Sequence, residues 1–317
     1  MNLDNNTQAL TESAIVTALM VVFALVGLYF LGIIIILYPI PFIVLGLRHG
    51  TRYNILSLIM SSLVVGILIN IMLGFFLFIF FGFMSISLSY MIKRRYRHSH
   101  TLIFTTFILL ISTLIVITMF NYIAGISFIS ELESFINQSR NISYENIINM
   151  ELSAYQLEQI KQMVKLMYEL LILLIPFTII TTSLFIAYIN FWLSIFILRR
   201  LGNKSTEVPK FNRLRLPSNI ILGTLVLIGS ALLIRYLEIF YYETLLINII
   251  FLLILVFFLQ GLAVLAFFID KLRINKILKF IILLLVMINL FLIIIIVFVG
   301  VLDALFDFRK IRKVNIP

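Results

Sequence analysis

Apolar residues in this chain come in runs of about 20, the length that crosses a hydrocarbon layer about 30 Å thick, and the charged residues are crowded into the gaps. The stretch 277–302 shows the pattern: Lys279 and Asn289 are its strongly polar residues. A lipid-spanning backbone must satisfy its own polar groups, which leaves helices or a closed barrel. Barrel strands alternate apolar and polar positions. Here the runs are apolar on every side, as in Ile33-Ile34-Ile35-Ile36-Leu37. The pattern predicts an all-α fold, a polytopic transmembrane helical bundle.

Anchored on the basic gaps, the spans read 13–30, 31–47, 53–69, 71–92, 101–124, 166–198, 217–237, 245–269 and 277–302. That is about nine crossings, or eight if one run does not cross. Pro39 and Pro41 should bend or break the second. Pro176 should kink the long sixth, and Pro217 suits the first turn of the seventh. Asn70 divides the third span from the fourth. Arg48-His49-Gly50-Thr51-Arg52 reads as a tight basic turn.

The stretch 128–165 differs, because it can live in water. Ser130 followed by Glu133 is a capping-box pattern. Residues 137–141, Asn-Gln-Ser-Arg-Asn, should end that helix, with a second starting after Ser143. Ile148, Leu152, Tyr155, Ile160, Met163 and Met167 fall roughly on one face. The expected element is an extracytoplasmic amphipathic hairpin, lying on the membrane or over a pocket, inserted in a single integral membrane domain covering 1–317.

Cytoplasmic loops carry the excess of Lys and Arg. Placing Lys93-Arg94-Arg95-Tyr96-Arg97 inside also puts 48–52, 199–215 and 271–279 inside and the hairpin outside. The hairpin's Glu131, Glu133, Glu145, Glu151 and Glu158 against Arg140, Lys161 and Lys165 suit that face. The tail Arg309-Lys310-Ile311-Arg312-Lys313 then lands outside, against the rule. The last run is the suspect, with Asn289 at the turn of a re-entrant pair.

Composition agrees with a membrane solvent. The 317 residues are 62% hydrophobic and 12% charged, against about 25% charged in soluble domains. The net charge of +10 sits in short loops, where it reads as orientation and attraction to anionic headgroups, not as a nucleic-acid surface. Cysteine is absent, which excludes disulfides, thiol catalysis and thiolate metal sites. Residues 1–12 lack Lys and Arg, so the first run reads as a retained span and not a signal peptide.

Catalytic constellations fail one after another. His49, His98 and His100 sit at loop ends with no second His at metal-ligand spacing, and no phosphate loop exists. No metal site, no cofactor and no enzyme activity are implied. Asp303 and Asp307 share a helix face, with Arg309 and Lys310 following, and read as salt-bridged interfacial carboxylates. Arg235 near a helix end reads as snorkelling and paired with Glu238. No lone charge falls mid-span; the polar residues left there are Asn70, Asn121, Asn190, Asn248, Gln260 and Asn289. Amides at depth hydrogen-bond helix to helix. As ligand contacts, Asn121, Asn190 and Gln260 would suit a neutral or weakly polar small molecule. Ala14-x-x-x-Ala18 and Ser62-x-x-x-Gly66-x-x-x-Asn70-x-x-x-Gly74 carry small residues at the spacing of close helix approach. They serve internal packing or docking of another membrane subunit.

Pro39-x-Pro41 leading to Leu47-Arg48-His49-Gly50, then Arg215-Leu216-Pro217, then Leu259-Gln260-Gly261-Leu262, and last Gly300-Val301-Leu302-Asp303 running to Asp307-Phe308-Arg309-Lys310, resemble the YybS-like family of bacterial membrane proteins. The likeness rests on the order of these short motifs over nearly the whole chain. That family is in turn similar to the substrate-binding (S) components of energy-coupling-factor transporters. The resemblance implies a multi-pass protein of the bacterial cytoplasmic membrane that holds a small molecule near the outer face. Ala14 and Ala18 would dock a transmembrane coupling subunit, with ATPases supplied by other chains. A scaffold or regulator of envelope processes is the competing expectation. Fold analogy does not choose between them.

Overall fold

A computed structural model describes residues 3–150, 153–202, 210–217, 219–236, 241–272 and 274–309. Glu151, Leu152, Glu238 and the tail from Lys310 lie outside the described residues. Among the described residues every regular element is helical: α1 Leu3–Tyr29, α2 Ile40–His49, α3 Thr51–Leu68, α4 Ile71–Leu77, α5 Phe83–Lys93, α6 His98–Ala124, α7 Phe128–Ile148, α8 Ala154–Leu173, α9 Ile175–Arg200, α10 Ile220–Tyr236, α11 Tyr242–Lys271, α12 Lys276–Ile288 and α13 Leu290–Phe306. A 3-10 turn, Gly32–Leu37, precedes α2, and a π turn, Phe78–Gly82, joins α4 to α5. Seven stretches are long and apolar enough to cross a membrane: 6–29, 32–49, 51–68, 71–93, α6, α9 and α11.

The chain forms two compact units. The first comprises Met1–Lys161 and Thr178–Val208, the second Gln162–Phe177 and Pro209–Pro317. In lipid, apolar side chains gain little by leaving hydrocarbon, so close packing and interhelical hydrogen bonds must hold a bundle. The first unit shows both. Tyr38, Phe42, Leu58, Phe81, Met84 and Leu88 are fully buried together. A polar seam runs beside them: the Thr17 and Ser57 hydroxyls meet at 2.9 Å, those of Tyr38 and Ser61 at 2.8 Å. Asn54 donates to Ser89 Oγ at 2.9 Å and accepts from Ser85 Oγ at 3.1 Å. Gly50, at φ 108°, turns α2 into α3. On α2, Arg48 and His49 reach Glu12 of α1 at 2.9 and 2.7 Å, so the start of α1 and the end of α2 share one face.

Three local expectations are corrected. Helix α7 runs unbroken through 137–141. Asn, Gln and Ser are only mediocre helix formers, and Ser139 and Ser143 bond back to Phe135 and Ser139 carbonyls without opening the helix. The N-cap is Ser127, whose Oγ accepts from Ser130 N–H at 3.4 Å, so the capping box at Ser130 does not form. Pro176 does not kink a helix; it sits in the first turn of α9, after a break at Leu174.

In the second unit the last apolar run is broken. Its two halves, α12 and α13, are bent by 103° at Asn289. Asn212, before α10, donates to Asp270 near the end of α11 at 2.6 Å. Lys279 of α12 reaches the same carboxylate at 2.6 Å. Arg309, past α13, donates to the Asn212 carbonyl at 2.8 Å. Through Asn212 and Asp270, the segment before α10, the end of α11, the start of α12 and Arg309 beyond α13 are therefore joined in one hydrogen-bonded chain. Helix α10, of 17 residues, packs against α11. A bend of 103° makes the pair α12–α13 a broken span or a re-entrant loop, and the hydrogen-bonded chain that links its two ends fits the loop. Seven stretches qualify as crossings, or eight if the bent pair is one span, and α10 is a shorter apolar helix. A re-entrant α12–α13 would set residues 308–309 with 210–216, on the side that the positive-inside rule favours.

This topology is testable because the natural chain has no cysteine. Single cysteines at Phe308 and Leu272 should react with an impermeant maleimide from one side of the membrane. A cysteine at Tyr241 should react from the other. Phe308 labelling together with Tyr241 would mean that the last run crosses.

Candidate functional site

Every amide noted at membrane depth closes a break in a helix. A break in lipid leaves N–H and C=O groups that water cannot satisfy. Asn70 accepts from Met72 N–H at 2.8 Å and caps α4. Asn121 accepts from Phe128 N–H at 2.7 Å across the α6–α7 turn. Asn190 donates to the Ile36 carbonyl at 3.0 Å, where the 3-10 turn gives way to α2. Asn248 accepts from Phe177 N–H at 2.6 Å and donates to the Leu173 carbonyl at 2.7 Å, spanning the α8–α9 break. Asn289 accepts from Leu292 N–H at 3.2 Å at the 103° bend. The sequence pattern of lone amides in apolar runs was a map of discontinuities.

Gln260 does the same within a larger network. Its Oε1 accepts from Leu216 N–H at 3.2 Å, and its Nε2 donates to Asp303 Oδ2 at 2.6 Å. Arg309 donates to that carboxylate oxygen at 2.9 Å and to the carbonyls of Asn212 and Leu214 at 2.8 and 2.7 Å. The Arg309 and Asp303 side chains are each 1% exposed. Gln260 lies about 15 Å along α11 from Asp270 at 1.5 Å per residue, so the non-helical segment 214–217 descends beside α11. Arg309 and Gln260 supply the partners its backbone needs. Asp303 and Arg309 are thus a buried pair, not an exposed interfacial one. Asp307 caps α13 in the left-handed region at φ 48°, its N–H donating to the Asp303 carbonyl. Pro217 is exposed and its carbonyl accepts from Ile220 N–H at 3.1 Å, at the entry to α10.

Helices α11 and α13 cross at Gly261 and Gly300. A Cβ on Gly261 would run into the Ile296 carbonyl oxygen, and one on Gly300 into that of Phe257. The motif residues Gln260 and Asp303, 43 positions apart in sequence, form one structural joint with Gly261 and Arg309.

Two cavities open in the first unit. One, of about 400 Å³, is lined by Ile69, Asn70, Met72, Leu73, Phe76, Val116, Met119 and Phe120. It lies where α3 ends, α4 begins and α6 ends, at the helix ends opposite the basic gaps at 48–52 and 93–97; the positive-inside rule assigns those ends to the outer side. Asn70 is its one polar lining residue. The second, of about 320 Å³, lies on α3 and α4 beside Ser62, Gly66 and Gly74. There Gly66 and Gly74 bring the two helices together: a Cβ on Gly74 would come within 2.5 Å of the Ser62 carbonyl.

The predicted ligand residues separate in the structure. Asn121 follows cavity-lining Phe120 by one position. Asn190 is fully buried on α9 with its Oδ1 unpartnered. Gln260 belongs to the second unit. Asn70, passed over as a divider, is the amide that lines a cavity; its place beside a run ending in Leu73 and Phe76 was the available signal. Ala14 and Ala18 are exposed on α1, while Ser13 and Thr17 pack inward. Among the described residues no His, Asp or Glu group is arranged to hold a metal.

These features define a polytopic α-helical membrane protein with apolar cavities in its first unit and a buried polar joint in its second. The family described as "Predicted membrane protein (DUF2232)" matches residues 14–304. The chain belongs to that family. Comparison with curated proteins finds no match, and neither does comparison with solved structures.

Proposed function

We propose that the protein is a non-catalytic capture subunit of a bacterial cytoplasmic membrane, holding a small molecule in the cavity beside Asn70 for import with separate energising subunits. The cavity carries this reading. Its volume of about 400 Å³ falls in the range of small-molecule sites, about 300–1,000 Å³, and it lies at the outer ends of α3 and α6. The likeness to YybS-like proteins, and through them to energy-coupling-factor S components, supports it. So does α1, whose exposed Ala14 and Ala18 leave a shallow face free for a coupling subunit. Asn121 acts beside the cavity by fixing the turn after Phe120. Asn190 and Gln260 act by holding helices.

A scaffold or regulator of envelope processes is favoured by one observation: all six deep amides are engaged in helix breaks, which leaves little polar lining for a ligand. The two readings part on purification from native membranes. Capture predicts a bound small molecule by native mass spectrometry and an ATPase-containing partner set that Ala14→Leu with Ala18→Leu releases. A ligand-free protein whose partners include no ATPase would contradict it and favour the scaffold.

A further inference from the structure

The depth and lining of the cavity specify the chemistry of what it takes. The stretch 71–93 has 23 residues, about 34 Å at 1.5 Å per residue, just over the hydrocarbon thickness of about 30 Å. Asn70 therefore sits at the outer boundary of the hydrocarbon, the level where a lipid-like molecule carries its hydroxyl, ester or amide. Leu73, Phe76 and Val116 lie one or two turns deeper. None of the eight lining residues is charged. The Asn70 Oδ1 is already taken by Met72 N–H, which leaves its Nδ2 as a donor for a ligand acceptor. A molecule with several polar groups would leave most of them unpaired here. The lining is flanked in sequence by apolar, bare residues: Ile71 after Asn70 is 71% exposed, and Tyr122 two positions after Phe120 is 91% exposed. In lipid a mouth so flanked is a sideways door, not an aqueous one.

We infer that the cavity takes a neutral, single-headed amphiphile from the outer leaflet. Its apolar body points to the membrane midplane, and its head accepts a hydrogen bond from Asn70 Nδ2. This rests on the reading of the cavity as the ligand site and narrows its ligand class. A water-soluble, many-headed substrate is excluded. So is an anionic headgroup held by salt bridges at the lining.

The test is native mass spectrometry of the full chain in detergent. It is titrated in separate arms with monoolein, a neutral single-headed amphiphile, and riboflavin, a water-soluble polar molecule. Three variants accompany the wild type. Met119→Trp fills the cavity, and Val116→Phe fills it less drastically should the tryptophan disturb folding. Asn70→Asp keeps the cap on Met72 N–H but removes the donor. The expected result is one tightly bound monoolein, weakened tenfold or more by either filling variant and about threefold by Asn70→Asp, with no riboflavin bound. Equal monoolein binding by wild type and both filling variants would mean boundary lipid only and overturn the inference. Riboflavin binding lost on filling would overturn the amphiphile class yet keep the cavity as the ligand site. If neither probe binds the wild type, and no co-purified mass disappears on filling, the inference and the underlying reading both fall.

Discussion

Replacing Arg309 with methionine is expected to cost the fold about 3–5 kcal/mol, the penalty for stranding one member of a buried ion pair. The loss should appear as a lower thermal midpoint and a smaller monodisperse fraction in detergent. Two effects compete in the double replacement Arg309→Met with Asp303→Leu. Removing both charges relieves the desolvation cost, which often makes such exchanges neutral. Here Arg309 also serves the carbonyls of Asn212 and Leu214. Each orphaned carbonyl costs about 1–3 kcal/mol, so the double variant should remain clearly destabilised. Arg309→Lys should fail as well, because one ammonium cannot span a carboxylate and two carbonyls set apart. A double variant as stable as the wild type would show that the segment 214–217 does not depend on Arg309.

The second large effect is expected at the α11–α13 crossing. Gly300→Ala places a methyl on the Phe257 carbonyl oxygen, and Gly261→Ala places one on that of Ile296. Neither obstacle is a flexible side-chain end, so the helices must separate. Overpacking typically costs about 1–3 kcal/mol and sometimes more; with backbone as the obstacle, each change should cost about 3 kcal/mol or more. Gly229→Ala on α10 is the control. Nothing lies within 4 Å of a Cβ there, and the change should be neutral or stabilising by up to about 1 kcal/mol. Thermal scans of the three variants side by side check the ordering. A Gly300→Ala protein matching Gly229→Ala would mean that the crossing is looser than described.

Much of this fold could be read from local sequence, for a physical reason. Lipid makes every interruption of a helix expensive, so interruptions carry visible chemistry: Asn70 and Asn289 as caps, Gly50 at positive φ, Pro39 and Pro176 at helix starts. A basic tail on the wrong side points to a break at Asn289 in the run 277–302, and the chain is bent there by 103°. What stayed hidden was tertiary. Gln260, Asp303, Arg309 and the loop before Pro217 meet only because α11 and α13 pack through two glycines. No spacing rule joins residues so far apart. In helices apolar all round, the pattern cannot say which face packs, which is why Ala14 and Ala18 read as packing or docking residues, whereas Ser13 is the buried one and Thr17 bonds to Ser57. The unbroken α7 was missed because weak propensities over five residues look like a stop signal and are not one.

The central claim is that the cavity between α4 and α6 is where the protein holds its ligand. An experimental density map of the protein purified from its native membrane in lipid nanodiscs tests this most directly. Elongated density is expected from Asn70 down past Leu73, Phe76 and Met119, absent from the same map of the Met119→Trp variant. A wild-type cavity that is closed by Val116 and Phe120, or filled only by the disordered lipid that coats the rest of the surface, would contradict it.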